Sequence, residues 1–267
     1  MRFKRPITQI RIHHRNCGFF SDFLVMLSNI YYVRNELFND FHIDWRTSLY
    51  SSNNENIYDK YFYQHNDENC NYNNVITNLT GYNAIFANHV LHEDVSEIEI
   101  YRSLSYGNFL MYNYGLLEGE FFKNFDRNYF GDQKILGIHR RGTDHGHHGQ
   151  LMSDITYLNE INREFKTNNY DKIFLITDQL SSFEFFKKEL GNSLITTDST
   201  MSDSSCGVHY RHDVSPEKIA YDALRDSYLL SLTDYKLVTR SNLSTFALLC
   251  NLQKDNFRLI DKHIFYR

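Results

Sequence analysis

The chain has 267 residues, of which 42% are apolar and 23% are charged, a composition typical of one or two globular domains. Its net charge is -5, which argues against a protein dedicated to binding DNA or RNA, since such proteins carry a basic excess. No apolar stretch is long enough to span a membrane, and the polar segment after Met1 lacks a signal-peptide core. We therefore predict a cytoplasmic protein with at most peripheral membrane contact.

Cysteine and histidine show no spacing typical of a metal site. The four cysteines are widely scattered and form no C-x-x-C pair, so we expect free thiols and neither a zinc site nor a redox motif. His145, His147 and His148 lie in a glycine-rich segment, which predicts a loop and not a metal-ligating helix. We therefore predict no bound metal, and we interpret these histidines as solvated or as facing a substrate.

The first half of the chain predicts two strands joined by a long helix. Apolar runs indicate strands over 7–12 and 41–44, and apolar residues at helical spacing indicate a helix over 18–37. The Asn- and Tyr-rich stretch 53–83 predicts a loop with at most one short helix, and 95–130 predicts one or two helices.

The second half alternates apolar strands with amphipathic helices. Strands are predicted over 134–139, 172–177, 193–198, 235–239 and 257–261. Helices are predicted over 152–165, from a cap at Ser181 or Ser182 to 190, from Pro216 to Leu232 and over 243–250. Repeated strand–loop–helix units give a parallel sheet, and such sheets bind ligands beyond the carboxyl ends of their strands.

These elements predict an α/β protein of two lobes. No linker marks a boundary, but the pattern changes near 131–134, which separates a first lobe, 1–132, from a second lobe, 133–250. Residues 251–267 form a C-terminal tail that we expect to pack back on the first lobe.

Cations cluster after the strand over 134–139, in the run His139-Arg140-Arg141-Gly142-Thr143-Asp144. Arginine presents a planar fork that matches phosphate oxygens, and glycine lets the backbone approach a ligand. The alternative is a polar loop whose arginines are solvated. The chain lacks both G-x-x-x-x-G-K-[ST] and G-x-G-x-x-G, which disfavours a P-loop NTPase and a standard Rossmann dehydrogenase.

Other polar residues follow the remaining strands of the second lobe. Ser241 and Asn242 lie at a strand-to-helix junction that could cradle a pyrophosphate, although either could equally be a helix N-cap. Asp178 ends a strand, where it could accept a hydrogen bond from a sugar hydroxyl or cap the next helix. Asp226 lies on a helix, and a surface carboxylate is the alternative to a ligand contact.

Two residues of the first lobe lie where a strand meets a loop. Gly18 permits a tight turn against a ligand, which makes it a candidate donor contact, although an ordinary strand–helix loop needs glycine as often. Trp45 is either a core residue or a platform on which a sugar could stack.

Three peptides, in order, resemble those of the GDP-fucose-dependent fucosyltransferases, a superfamily of α1,2-, α1,6- and protein O-fucosyltransferases with related bacterial capsule and lipopolysaccharide enzymes. The family's H-x-R-x-[GT]-D peptide is matched by Gly137–Asp144, and its F-L-A-T-D-D strand end by Phe174–Gln179. Its D-x-x-x-L-S-x-x-D-x-x-[IV]-x-T-x-S-S segment is matched by Asp226–Asn242. The segments Gly18–Ser21 and Ile43–Trp45 are similar to the opening of the bacterial members.

The resemblance implies a GT-B arrangement of two facing Rossmann-like lobes with mostly parallel sheets, the first on the acceptor side and the second binding a GDP-sugar. It implies inversion at the anomeric carbon without a cofactor. It also implies that Arg141 holds the β-phosphate and supports the departing GDP. His139 and Asp226 would hold the guanosine end, Asp178 would lie at the donor pocket, and Ser241 and Asn242 would line the phosphates.

The general base is not carried over by the resemblance. Gln179 stands where many relatives have a second Asp, and Gly149 lies near the position of an acid that some relatives use as base. The local candidates for the base are therefore Asp22, Asp144, His147 and His148. The acceptor-side candidates are Trp45, His147 and His148.

The sequence thus predicts a transferase that moves fucose or a related sugar from a GDP-sugar to a glycan or lipid-linked oligosaccharide in surface polysaccharide synthesis. The alternatives are a transferase for another GDP-sugar, such as GDP-heptose, and a catalytically silent nucleotide- or glycan-binding homologue. A metal hydrolase that uses the histidine loop is a third alternative.

Overall fold

The computed structural model describes residues 9–13, 18–35, 40–46, 48–64, 74–76, 97–142, 152–203, 207–253 and 255–260. The chain divides into two compact units, Met1–Asn124 and Phe125–Arg267. The lobe boundary predicted near 132 lies a few residues after this division and stays a prediction. Among the described residues, no helix has the length and apolar character needed to cross a membrane.

The first unit contains a three-stranded parallel sheet. Its strands are β1 (Gln9–His13), β2 (Asp40–Asp44) and β3 (Asn74–Ile76), in the order β2-β1-β3. Both pairings with β1 are parallel, with Ile12 opposite Ile43 on one side and Ile76 on the other. Strand β3 lies within the stretch predicted as loop, and its three residues are too few for an apolar alternation to be visible.

Among the described residues, four α-helices accompany this sheet: α1 (Phe19–Asn35), α2 (Ile57–Tyr61), α3 (Glu97–Asn113) and α4 (Glu120–Lys123). Helix α1 is buried on almost every side between Phe19 and Ile30, and the buried residues include the polar Asp22, Ser28 and Asn29. Helices α2 and α4 meet through edge-on aromatic contact between Tyr61 and Phe121, whose ring centroids are 5.3 Å apart.

The second unit contains a five-stranded parallel sheet. Its strands are β4 (Ile135–Arg140), β5 (Lys172–Thr177), β6 (Leu194–Ile195), β7 (Tyr235–Val238) and β8 (Phe257–Leu259). The strand order is β6-β5-β4-β7-β8, and every pairing is parallel, so all five carboxyl ends lie at one edge. The prediction of a parallel sheet in this half of the chain is confirmed.

Helices cover both faces of this sheet: α5 (Asp154–Asn168), α6 (Leu180–Leu190), α7 (Pro216–Ser231) and α8 (Asn242–Cys250). Leu136 and Ile138 of β4 pack with Tyr157 and Ile161 of α5, whereas Ile135 packs in the cluster that contains Leu230 of α7. Side chains of a strand alternate between faces, so β4 is apolar on both, as expected for a central parallel strand.

Three of the four α-helices described in the second unit begin after a serine N-cap, and α6 is the exception. Ser153 and Ser215 accept a hydrogen bond from the backbone of the first turn of α5 and α7, and Pro216 opens α7 as predicted. The predicted cap of α6 at Ser181 or Ser182 is wrong. The helix begins at Leu180 after Gln179, because the hydroxyl of Ser182 is hydrogen-bonded to Asp154 instead.

The C-terminal tail contributes to the second unit as far as the structure describes it. Strand β8 extends the sheet beside β7, with Leu259 opposite Val238, and Ile260 is buried in the cluster that covers the α5 face. Pairing with β7 satisfies the backbone of β8. The expectation that the tail packs back on the first lobe stays a prediction. Residues 261–267 lie outside the described residues.

The close approach of α7 to β4 requires glycine at position 137. A Cβ atom there would lie 2.3 Å from Oγ1 of Thr233 and 2.7 Å from Cδ1 of Leu230. We expect Gly137→Ala to lower the free energy of unfolding by about 1–3 kcal/mol through overpacking. Exposed Glu189→Ala on α6 is the control and should change it by less than about 0.5 kcal/mol. Equal thermal melting of the two variants would contradict this packing.

Candidate active site

The polar residues singled out in the second half of the sequence gather at the carboxyl edge of the five-stranded sheet. Arg140 is opposite Thr177 of β5, and His139 is opposite Val238 of β7, so these three strands end at the same level. The segments 141–142, 178–179 and 239–242 follow these strand ends. The structure therefore brings together the candidates at the start of each segment.

His139 is buried on the face covered by α8. Its Nδ1 lies 2.7 Å from Oγ of Ser244 and 3.4 Å from Oγ of Ser241. Because the Ser244 hydroxyl donates to the carbonyl of Thr239, it accepts from the imidazole, and this assigns a proton to Nδ1. The His139 carbonyl accepts from the Tyr157 hydroxyl at 2.7 Å and from the Thr239 amide at 3.1 Å. Hydrogen bonds thus fix both the ring and the backbone of this residue.

The backbone after β4 is tied to the two neighbouring strands. The amide of Arg141 donates to Oγ1 of Thr239 at 3.3 Å, and the amide of Gly142 donates to Oδ1 of Asp178 at 2.7 Å. One oxygen of Asp178 therefore holds this turn, a role that the sequence alternatives did not include. Arg141 itself is half-buried, so the turn is fixed while its side chain keeps access to solvent.

Arg140 lies on the opposite face from His139, as the alternation of strand residues predicts. Its side chain is 7% exposed, and its Nε donates to Oδ1 of Asp154 at 2.8 Å. Its Nη1 donates to the Arg141 carbonyl at 2.7 Å and to Oε1 of Gln179 at 3.1 Å. The hydroxyl of Ser182 also bonds to Asp154 and Gln179. We call Arg140, Asp154, Gln179 and Ser182 the Arg140 cluster.

Asp226 is buried on α7 and fastens the segment after β6. Its carboxylate accepts from Thr197 Oγ1 at 2.8 Å, Ser199 Oγ at 2.5 Å and Arg225 Nε at 3.2 Å. Burial raises the pKa of Asp226 to about 6, because the lost hydration outweighs the hydrogen bonds from Ser199 and Thr197 and the charge of Arg225. The surface-carboxylate alternative is therefore wrong. Contact between Asp226 and a guanosine stays a prediction.

A second carboxylate of α7 holds the same segment. Oδ2 of Asp222 accepts from both the amide and the hydroxyl of Thr200 at 2.9 Å, and Lys218 pairs with it at 2.9 Å. Sequence reasoning missed Asp222 and Arg225. The signal was present in the spacing of Lys218, Asp222 and Asp226, which places all three on one face of a helix.

Ser241 is the N-cap of α8. Its Oγ accepts from the amide of Ser244 at 3.1 Å, which confirms the capping alternative for this residue, and Asn242 is the first residue of the helix. A cap leaves other amides of the first turn without an intrahelical partner. The phosphate contact expected of Ser241 and Asn242 is compatible with this placement and stays a prediction.

The candidates of the first unit lie in two places: Gly18 and Asp22 at the start of α1, and Trp45 in the core. Gly18 precedes α1, and its carbonyl accepts from the amide of Asp22, whose side chain is buried in the first turn. Trp45 is only 1% exposed and makes edge-on contacts with Phe19 and Tyr58. The interpretation of Trp45 as a sugar platform on the acceptor side is wrong, because stacking needs an exposed ring face.

The remaining candidates, Asp144, His147 and His148, lie outside the described residues. Within the part of the chain that is described, no group of three or more His, Cys, Asp or Glu side chains could hold a metal ion.

Comparison with solved structures identifies the fold. No protein-family model matches the sequence, and no curated protein matches it significantly. The structure of NodZ alpha-1,6-fucosyltransferase co-crystallized with GDP is similar over 91% of this chain and 93% of that chain, with a TM-score of 0.56 and 16% identity. The same enzyme soaked with GDP-fucose gives a TM-score of 0.57 and 16% identity over the same shares.

Fucosyltransferase NodZ from Bradyrhizobium matches over 96% of this chain and 97% of that chain, with a TM-score of 0.56 and 17% identity. At such low identity the likeness establishes architecture and not activity. The predicted α/β fold of the GT-B type is thereby confirmed, and this chain shares the fold of a fucosyltransferase.

Proposed function

We propose that this protein is an inverting glycosyltransferase that moves fucose, or a related sugar, from a GDP-sugar to a glycan acceptor. The observation that carries the proposal is the fixed turn at Arg141, which presents a guanidinium at the carboxyl edge of a parallel sheet. The shared fold supports it, because the similar structures were obtained with GDP and GDP-fucose.

Arg141 supplies the charge that the reaction needs. Breaking the bond between the sugar and the diphosphate builds negative charge on the departing GDP. A guanidinium can meet two phosphate oxygens at once, and a preorganised cation stabilises developing charge more than water does. Its backbone amide donates a hydrogen bond to Oγ1 of Thr239, so little reorganisation is needed when the charge appears.

In this proposal the other second-unit candidates bind the remaining parts of the donor. The start of α8, with Ser241 and Asn242, provides amides and hydroxyls for the phosphates. His139 and Asp226 serve the guanosine end, Asp226 through the segment of Thr197 and Ser199 that it holds. Asp178 contributes to the donor pocket while one of its oxygens keeps the Gly142 amide in place.

The acceptor is proposed to be a glycan or lipid-linked oligosaccharide in surface polysaccharide synthesis, with the reaction in the cytoplasm. Asp22 and Asp144 are the candidate bases that would take the proton of the acceptor hydroxyl, and His147 and His148 the candidate acceptor contacts. No cofactor is proposed, because the guanidinium of Arg141 provides the charge that a metal ion would otherwise bring to the leaving group.

GDP should stabilise the protein more than ADP or UDP. At about 100 times its dissociation constant, GDP is expected to add about 2.7 kcal/mol to the free energy of unfolding. Thermal shifts with the three nucleotides at equal concentration measure this preference. Equal shifts, or none, would contradict a guanosine donor. Stabilisation by GDP without release of GDP from GDP-fucose or another GDP-sugar would instead identify a silent nucleotide-binding homologue.

Arg141→Lys should reduce turnover while the fold is kept. Lysine retains the charge and loses the bidentate fork, and loss of charge stabilisation of this kind costs about 2.7–4 kcal/mol, or roughly 100–1000-fold in rate. Release of GDP from GDP-fucose is the readout. Arg163→Lys, on the exposed side of α5, is the matched control and should keep wild-type turnover. Similar rates for the two variants would remove Arg141 from the mechanism.

Turnover should survive EDTA. Because the leaving-group charge is met by Arg141, chelation should leave the rate of GDP release unchanged. The assay compares untreated protein, protein dialysed against EDTA and the dialysed protein supplied with Mg²⁺ or Mn²⁺. Loss of activity on chelation that a divalent ion restores would favour a metal-dependent enzyme.

A further inference from the structure

Arg140 makes contacts that stability alone does not explain. In the partly buried ion pair Arg140–Asp154, the side chains are 7% and 25% exposed and have lost part of their hydration. Replacing buried ion pairs by apolar residues is often neutral or stabilising. The neighbouring positions of the same face, Leu136 and Ile138, are apolar and pack against α5. A leucine or methionine at position 140 would continue that pattern, so the arginine needs another explanation.

The geometry of the guanidinium points to one. It joins three elements: its Nε binds Asp154 at the start of α5, and its Nη1 binds Gln179 at the start of α6 and the carbonyl of Arg141 after β4. The last bond is made to the residue whose side chain carries the proposed charge stabilisation. The hydroxyl of Ser182 lies 2.9 Å from Oδ2 of Asp154 and 3.2 Å from Oε1 of Gln179, and its single proton is available to either acceptor. It thereby helps to hold the acceptors of the Arg140 fork in place.

The turn rests directly on this cluster. A Cβ atom at Gly142 would lie 2.4 Å from Oε1 of Gln179 and 2.8 Å from Nη1 of Arg140. There is no space between the turn and the cluster that could absorb a displacement, so a shift of the Arg140 guanidinium moves the peptide of Arg141.

We propose that Arg140 is a positioning residue, whose guanidinium fixes the Arg141 carbonyl and thereby the direction of the Arg141 side chain. This inference rests on the proposed function, since it assigns Arg140 a role in the same transfer step. Arg140 does not touch the donor and acts only through its neighbour. Changes to the Arg140 cluster would therefore raise the free energy of the transition state more than they weaken binding of the donor in the ground state.

The test compares kcat and KM for the release of GDP from GDP-fucose. In Arg140→Lys the ammonium can still pair with Asp154 but lacks the planar fork that reaches all three acceptors. Misplacement of a catalytic group by about 1 Å can cost about 100-fold in rate, so we expect kcat to fall about 10- to 100-fold while KM changes by less than about threefold. Ile161→Val, in the α5 core, is the control for lost stability and should keep the wild-type kcat.

A double-mutant cycle separates positioning from a merely structural role. If Arg140 acts through Arg141, adding Arg140→Lys to Arg141→Lys should reduce kcat by less than about twofold further, because coupled residues are not additive. Gln179→Ala is a second variant, which removes one acceptor of Arg140 and leaves its ion pair with Asp154 in place. It should lower kcat by a few-fold, and its melting temperature should equal that of the Ile161→Val control.

The outcomes are distinct. Wild-type kcat in folded Arg140→Lys and in Gln179→Ala, or multiplicative losses in the double mutant, would overturn the positioning role alone. If Arg140→Lys does not fold, the kcat of Gln179→Ala alone tests the positioning role, and a wild-type value would overturn it. Absence of GDP release from GDP-sugars in the wild type would refute the proposed function and the positioning role with it. A normal rate in Arg141→Lys would remove Arg141 from the mechanism, and it would refute the positioning role without refuting the proposed function.

Discussion

Strand β4 is hydrogen-bonded along both of its edges, to β5 on one side and to β7 on the other, and the second unit is organised by that central position. A strand placed there has helices on both faces and no free edge, so polar groups can emerge only at its ends. The run from His139 to Gly142 occupies the carboxyl end. Its alternating side chains are sent to opposite faces, the imidazole toward α8 and the first guanidinium toward α5. This short peptide thereby takes part in two hydrogen-bond networks, one on each face of the sheet.

Two of the segments at this edge are held by acceptors that come from elsewhere in the chain. The turn after β4 is held by Asp178 and Thr239, and the segment after β6 by Asp222 and Asp226. The carboxylates that sequence reasoning assigned to the ligand are therefore also occupied with the protein's own backbone and hydroxyls. Such bonds prepare a site by fixing its groups before a ligand arrives, which is where most electrostatic catalysis originates.

How far the sequence could predict this structure depended on the range of the interactions involved. The strands of the second unit and the position of Arg141 follow from apolar runs and from one local motif. By contrast, the burial of Trp45 and the early start of α6 depend on packing partners distant in sequence, such as Tyr58 and Asp154. No local pattern reports whether a lone tryptophan is covered, because the covering residues belong to other elements.

The wide separation of the site's components in the chain has a consequence for biosynthesis. His139 and its partner Ser244 are 105 residues apart, and β7 becomes available only after β5, β6 and their helices. Such non-local parallel pairings form slowly, since the entropy of closing a long loop must be overcome before the contact is made. A nascent chain that ends before β7 therefore exposes one edge of β4 and also lacks Ser244, the partner of its histidine. The carboxyl edge of the sheet is therefore completed only late in translation, and until then the unpaired edge of β4 is a surface open to aggregation.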